Sequence, residues 1–150
     1  LAALARHTVD RYQKRYGDAG LRLEWTPPQD AAWIEADGRR MEQVLENLLN
    51  NAIRYVPRGG RVRVSVDPAA NGGRLRLRVE DDGPGIPSGE MGQVFERFYR
   101  AESSRGGDGK GSGLGLAIVK EIVERHHGTV RAESIVPHGL RIVVELPPAA

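Results

Sequence analysis

Three short stretches of this chain carry residue types and spacings that could do chemistry. The first, "GGDGKGSGLGLAIV" (residues 106–119), sets Lys110 among glycines and then turns apolar, which raises the question of a phosphate-binding loop. Neither familiar template fits it. The pattern G-x-x-x-x-G-K-[ST] needs Ser or Thr after Gly109 and Lys110, but residue 111 is glycine. The pattern G-x-G-x-x-G finds no register, and no apolar strand run leads directly into the stretch. The second stretch is "EQVLENLLNNAIRYVP". At about 100° per residue, Asn47, Asn51 and Arg54 fall within roughly 60° of one another, along one border of an apolar helical stripe. Asparagine is a poor helix former, so two of them four apart call for a reason. Two readings stand: amides that the helix tolerates, or a metal–phosphate site. An amide oxygen is a hard, neutral ligand suited to Mg²⁺ and adds no repulsion beside phosphate. The third stretch is "DDGPGIP" (81–87), in which Gly83 and Gly85 permit close backbone approach and Pro84 and Pro87 stiffen the turn. It reads either as a plain surface turn or as the edge of a pocket with Asp81 on its floor. A carboxylate there would accept a hydrogen bond from adenine's exocyclic amine, and it would face guanine's carbonyl oxygen acceptor to acceptor.

The elements that must hold these stretches follow from periodicity. Residues 1–16 have helical spacing, with Leu1, Leu4, Ala5, Thr8, Val9, Tyr12 and Tyr16 on one face, and Gly17 and Gly20 stop the run. "LRLEW" (21–25) and "AWIEA" (32–36) read as short strands. Asp37 is a suitable N-cap for a helix over about 38–55, whose stripe is Met41, Val44, Leu45, Leu48, Leu49 and Ala52. Pro57 and the Gly59–Gly60 pair end it. "RVRVSV" (61–66) and "RLRLRVED" (74–81) alternate strictly around Asn71-Gly72-Gly73, a hairpin signature. The short aromatic segment "QVFERFYR" follows. A helix over about 113–127 stops at Gly128, and "TVRAES" and "LRIVVEL" read as closing strands. Helices interleaved with hairpins predict a two-layer α/β sandwich, a mixed, mostly antiparallel sheet packed against about three helices.

Composition sets the bounds. With 150 residues and 39% hydrophobic content, residues 1–150 are expected to form one domain with a real core. The chain begins at Leu1, so we expect it to be a piece of a longer protein. No run approaches 18 apolar residues, and the absence of cysteine excludes disulfides and thiolate metal sites. The net charge of +2 is nearly balanced, and the arginines alternate with apolar residues. That pattern suits solvated strand faces better than a nucleic-acid-binding stripe.

Taken together, "EQVLENLLNNAIRYVP", "VEDDGPGIP", "VFERFYRAESS" and "GKGSGLGLAIVKEIVERHHG" resemble four boxes of one family, in its order and spacing. It is the ATP-binding catalytic domain of bacterial sensor histidine kinases, within the gyrase, heat-shock-protein-90, histidine-kinase and mismatch-repair ATPase superfamily. "HGLRIVVELP" resembles its closing strand. The resemblance implies a Bergerat-type fold and Mg-ATP as ligand. It also implies transfer of the γ-phosphoryl group to a histidine on a separate dimerisation domain of the same protein. By position it makes Asn51 the Mg²⁺ ligand, Asn47 its companion near the phosphates, and Arg54 and Tyr55 flanking groups. Asp81 becomes the adenine reader, with Gly83, Gly85 and Ile86 shaping its pocket. Arg100 corresponds to an arginine associated with the terminal phosphate. Lys110, Gly111, Ser112, Gly113, Leu114 and Gly115 belong to a lid over residues 101–112 and its hinge, which presents backbone N–H groups to phosphate.

The implied partners are the dimerisation domain and a cognate response regulator. No nucleic acid is implied, and the fragment by itself is expected to be a monomeric cytoplasmic domain of a membrane sensor. Three departures stand out. None of His7, His126, His127 and His138 lies in a phosphoacceptor motif, Arg54 replaces a usual lysine, and Leu140 replaces a small polar residue. The alternatives are an ATP-hydrolysing clamp of the same superfamily and a non-catalytic nucleotide-binding module. The clamp enzymes carry a glutamate base where this chain has Asn47, and Glu46 points about 100° away from that position.

Overall fold

A computed structural model of the chain describes residues 2–27, 38–68, 74–86, 88–96 and 115–147. The helices are α1 (Ala2–Asp18), α2 (Gly38–Tyr55) and α3 (Gly115–Arg125). The strands are β1 (Arg22–Thr26), β2 (Arg61–Pro68), β3 (Leu75–Asp81), β4 (Thr129–Ser134) and β5 (Leu140–Leu146). A 3₁₀ turn covers Ser88–Gln93. The expected strand at 32–36 and the N-cap Asp37 lie outside the described residues.

The five strands form one sheet in the order β1-β2-β3-β5-β4. β1 runs parallel to β2 and every other pairing is antiparallel. A parallel pair needs a long crossover, and α2 lies within that connection. The strict alternation of β2 and β3 puts Val62, Val64, Val66, Leu75, Leu77 and Val79 on the inner face, all buried. The whole α2 stripe read from the sequence is buried against them, as are Ala5, Val9, Tyr12 and Tyr16 of α1 and Leu116, Val119, Ile122 and Val123 of α3. The two-layer sandwich is as expected.

The outer face is ordered by charge. In register across the sheet, Glu24, Arg63, Glu80, Arg141 and Glu133 alternate in sign over all five strands. Arg63 approaches Glu24 at 3.4 Å, and Arg141 approaches Glu80 at 3.2 Å and Glu133 at 3.3 Å. Further along the same face, Asp67 holds Arg76 at 3.2 Å and Arg78 at 2.7 Å. The alternating arginines therefore face carboxylates across the strands, a favourable arrangement of half-exposed pairs in which each pair contributes little alone.

α3 ends in a Schellman cap. Gly128 N–H donates to the Val123 carbonyl at 3.0 Å and His127 N–H to Glu124 at 3.0 Å, while His127 itself has φ 60°. His126 adds its ring, with Nδ1 at 2.9 Å from the Ile122 carbonyl. The two histidines thus finish a helix, consistent with their lying in no phosphoacceptor motif. A left-handed non-glycine residue is strained, so His127→Gly is expected to stabilise the domain by about 0.5–1 kcal/mol. Thermal unfolding should show a rise of roughly 1–4 °C; an unchanged or lower midpoint would contradict the strain.

Candidate functional site

The site residues that are described gather at one end of the sheet, where β3 runs out beneath the C-terminal half of α2. Asp81 is the last residue of β3, paired in register with Leu140 at the start of β5. Its Oδ1 accepts the Gly83 N–H at 2.9 Å, and the Leu140 N–H also donates to the carboxylate. Burial pushes the Asp81 carboxyl above its usual range, the two backbone donors pull it back, and neighbouring Asp82 raises it slightly further. Asp82 turns elsewhere and accepts the Arg61 N–H at 2.8 Å, tying the turn to β2.

The turn after Asp81 is pressed between two backbones. A Cβ on Gly83 would lie 3.1 Å from Asp81 Oδ1 and 3.5 Å from the Tyr55 carbonyl oxygen, so the end of α2 rests on this glycine. Gly85 has φ 77°, and a Cβ there would come within 3.0 Å of the Gly139 carbonyl oxygen. Gly139, with φ 131°, sits so close that a Cβ would fall 2.3 Å from the Asp81 carbonyl oxygen. Only glycine fits such contacts without a shift. His138 completes the clasp: its Nδ1 lies 3.2 Å from the Gly83 carbonyl oxygen, a contact in which Nδ1 carries the proton and donates. Ile86 is half-buried beside this turn and packs on the core.

α2 brings the second group. Asn47, Asn51 and Tyr55 are half-buried along its border, and Arg54 is exposed. Asn47 reaches the start of α3, because its Oδ1 lies 3.7 Å from where a Cβ of Gly115 would stand. An amide oxygen and the first turn of a helix are thereby brought together from two distant parts of the chain. Arg100, Lys110, Gly111, Ser112, Gly113 and Leu114, and the whole of the lid expected over 101–112, lie outside the described residues.

Three side chains that the residue pattern did not single out join this region. Arg11 of α1 holds Glu42 at 2.6 Å and Glu46 at 2.5 Å. Tyr16 donates its hydroxyl hydrogen to the Leu49 carbonyl at 2.6 Å. His138, third, secures the Gly83 carbonyl. Tyr16 reads in the sequence as one more stripe residue, and nothing in its spacing reveals what its hydroxyl meets. Among the described residues, no helix is long and apolar enough to cross a membrane.

A mixed five-stranded sheet under three helices, with a half-buried aspartate at a glycine turn and asparagines on the facing helix, defines a nucleotide-binding class. Residues 36–150 match the family "Histidine kinase-, DNA gyrase B-, and HSP90-like ATPase", and the chain belongs to that family. Among similar proteins is the "Sensor histidine kinase WalK" of Bacillus subtilis, 41% identical over 120 residues, which are 80% of this chain and 20% of WalK. The chain thus spans only a fifth of that relative. The "Mycobacterial sensor histidine kinase MprB" superposes with a TM-score of 0.85 at 34% identity, covering 98% of this chain and 95% of that one. Full-length ShkA, solved in complex with AMPPNP, gives a TM-score of 0.84 at 29% identity over 99% of this chain and 30% of ShkA. The fold expected from the resemblance is the fold observed.

Proposed function

We propose that this domain binds Mg-ATP and donates the γ-phosphoryl group to a histidine on a separate dimerisation domain, as part of two-component signalling. The observation that carries this reading is the pairing of two half-sites. Asp81 lies half-buried at the glycine turn, while Asn47 and Asn51 line a helix on which the Asn47 amide oxygen meets the start of α3. A nucleotide laid between them meets an acceptor for its amine at one end and neutral oxygen and N–H groups at the other.

The residues present fit a magnesium ion: amide oxygens are hard donors, and phosphate and water would complete the shell. Asn51 would hold the ion, with Asn47 beside it. When bound, Mg²⁺ neutralises phosphate charge as transfer proceeds. The chain's own residues position the nucleotide. Asp81 accepts from adenine, Gly83 and Gly85 let the base approach the backbone, Ile86 lines the pocket, and Tyr55 and Arg54 flank it at the end of α2. In the same reading Arg100 acts at the terminal phosphate. Lys110, Gly111, Ser112, Gly113, Leu114 and Gly115 contribute contacts to the phosphates in this reading. MprB, WalK and ShkA are named as kinases or were solved with a nucleotide analogue, which supports the same ligand here.

One observation weighs against the ATP-hydrolysing alternative. Hydrolysis needs a carboxylate base near the metal asparagine; position 47 is an amide, and adjacent Glu46 is bound to Arg11 on α1. Calorimetric titration of the chain with Mg-ATP should give saturable heat at micromolar to millimolar concentration. Adding the helical dimerisation domain with its histidine should give acid-labile phosphohistidine, and the chain alone should give little. No heat at millimolar Mg-ATP, or rapid phosphate release without an acceptor, would overturn the proposal.

A further inference from the structure

α1 is joined to α2 by a polar seam whose spacing matches on both sides. Arg11 takes Glu42 and Glu46, and four residues on, Arg15 donates to Asn50 Oδ1 at 2.8 Å. Four-residue steps on two packed helices keep partners in register. Tyr16 closes the seam from inside. It is fully buried, its ring meets Tyr12 edge-on at 6.5 Å, and its hydroxyl donates to the Leu49 carbonyl, in the turn between Asn47 and Asn51. Leu49 is itself fully buried. A phenylalanine would fill the same space, so packing does not explain the hydroxyl; a buried hydroxyl is tolerated only where it finds a partner.

Resting on the function proposed above, we infer that Tyr16 is a positioning residue that sets the spacing between the two ends of the nucleotide site. One end is Asp81 on β3 and the other is the asparagine border of α2. A single ligand that bridges two elements binds best when their separation is already fixed. Tyr16 ties the α2 turn directly to α1, and α1 itself packs on β1 and β2, beside the strand that ends in Asp81. The Tyr16 phenol is held far above the usual range by burial, by Tyr12 and by the Asp81 carboxylate. Without the hydroxyl, the helix keeps its own hydrogen bonds and the apolar packing, but the turn carrying Asn51 loses its tie to the end of α1.

The test is Tyr16→Phe in the same chain, titrated with Mg-ATP by calorimetry and with adenosine by NMR. Mg-ATP spans both ends and should bind about tenfold more weakly, the loss expected for one buried hydrogen bond. Adenosine engages only the Asp81 end and should bind within about twofold of wild type. Placing p-aminophenylalanine at the position restores a donor and should recover most of the Mg-ATP affinity. Unchanged Mg-ATP binding, or equal losses for both ligands, would overturn the positioning role and leave the functional reading intact. A wild-type chain that binds no Mg-ATP would overturn both.

Discussion

Asp81→Asn is expected to weaken ATP binding by about 10- to 100-fold and to remove most of the preference for ATP over GTP. The magnitude follows from replacing a charged acceptor, whose hydrogen bonds contribute about 1.5–3 kcal/mol each, by an amide that presents N–H where adenine also presents N–H. An amide can turn its N–H toward the carbonyl oxygen of guanine, which a carboxylate cannot, so selectivity should suffer more than structure. Competitive titration of the two nucleotides checks this, and an unchanged ATP-to-GTP ratio would remove Asp81 from adenine reading.

The same substitution has a stability signature with a definite sign. The Asp81 carboxyl is raised above its usual 3.8 in the fold, chiefly by burial. Between the unfolded and folded values the native state holds more protons than the unfolded one. That contribution is therefore present below about 3.8 and is lost as pH rises through the folded value. Asp81→Asn removes the titration, so its stability relative to wild type should improve from pH 3.5 to pH 7 in denaturant unfolding. A relative stability that stays flat, or moves the other way, would contradict the burial of this charge.

Asn51→Ala is the second large effect. Mg²⁺-supported ATP affinity should fall about 10- to 100-fold, while binding measured in excess chelator should change little. The contrast separates a ligand role from a packing one. Asn51 is only half-buried and lies on the border of the α2 stripe, so truncating it leaves the fully buried stripe residues in place. Thermal unfolding should accordingly move by only a few degrees. Equal losses with and without Mg²⁺ would mean that the amide does not serve a metal.

Local pattern was informative about this chain wherever a residue's environment is set by its own element. The α2 stripe and its two bounds, Gly38 and Tyr55, matched the helical spacing closely. The alternation of β2 and β3 separated core valines and leucines from outward arginines. The order of the four boxes was enough to suggest the family. Boundaries were less legible. α1 runs on to Asp18, past the glycine at 17, and the described part of α3 stops at Arg125 because the chain turns left-handed at His127.

What the residues determined by themselves is therefore which faces are apolar, where the chain turns, and which side chains have the chemistry to meet a nucleotide and a metal. The tertiary structure alone decided who meets whom. It paired β1 with β2 in parallel, and it brought Asn47 to the start of α3. It paired Glu46 with Arg11, clasped the Asp81 turn with His138 and Gly139, and sent the Tyr16 hydroxyl to the Leu49 carbonyl. The reason is physical. Periodicity encodes the direction of each side chain relative to its own backbone, but a hydrogen bond between distant residues depends on the distance and angle between two packed elements. Those quantities exist only once the apolar faces have closed on one another.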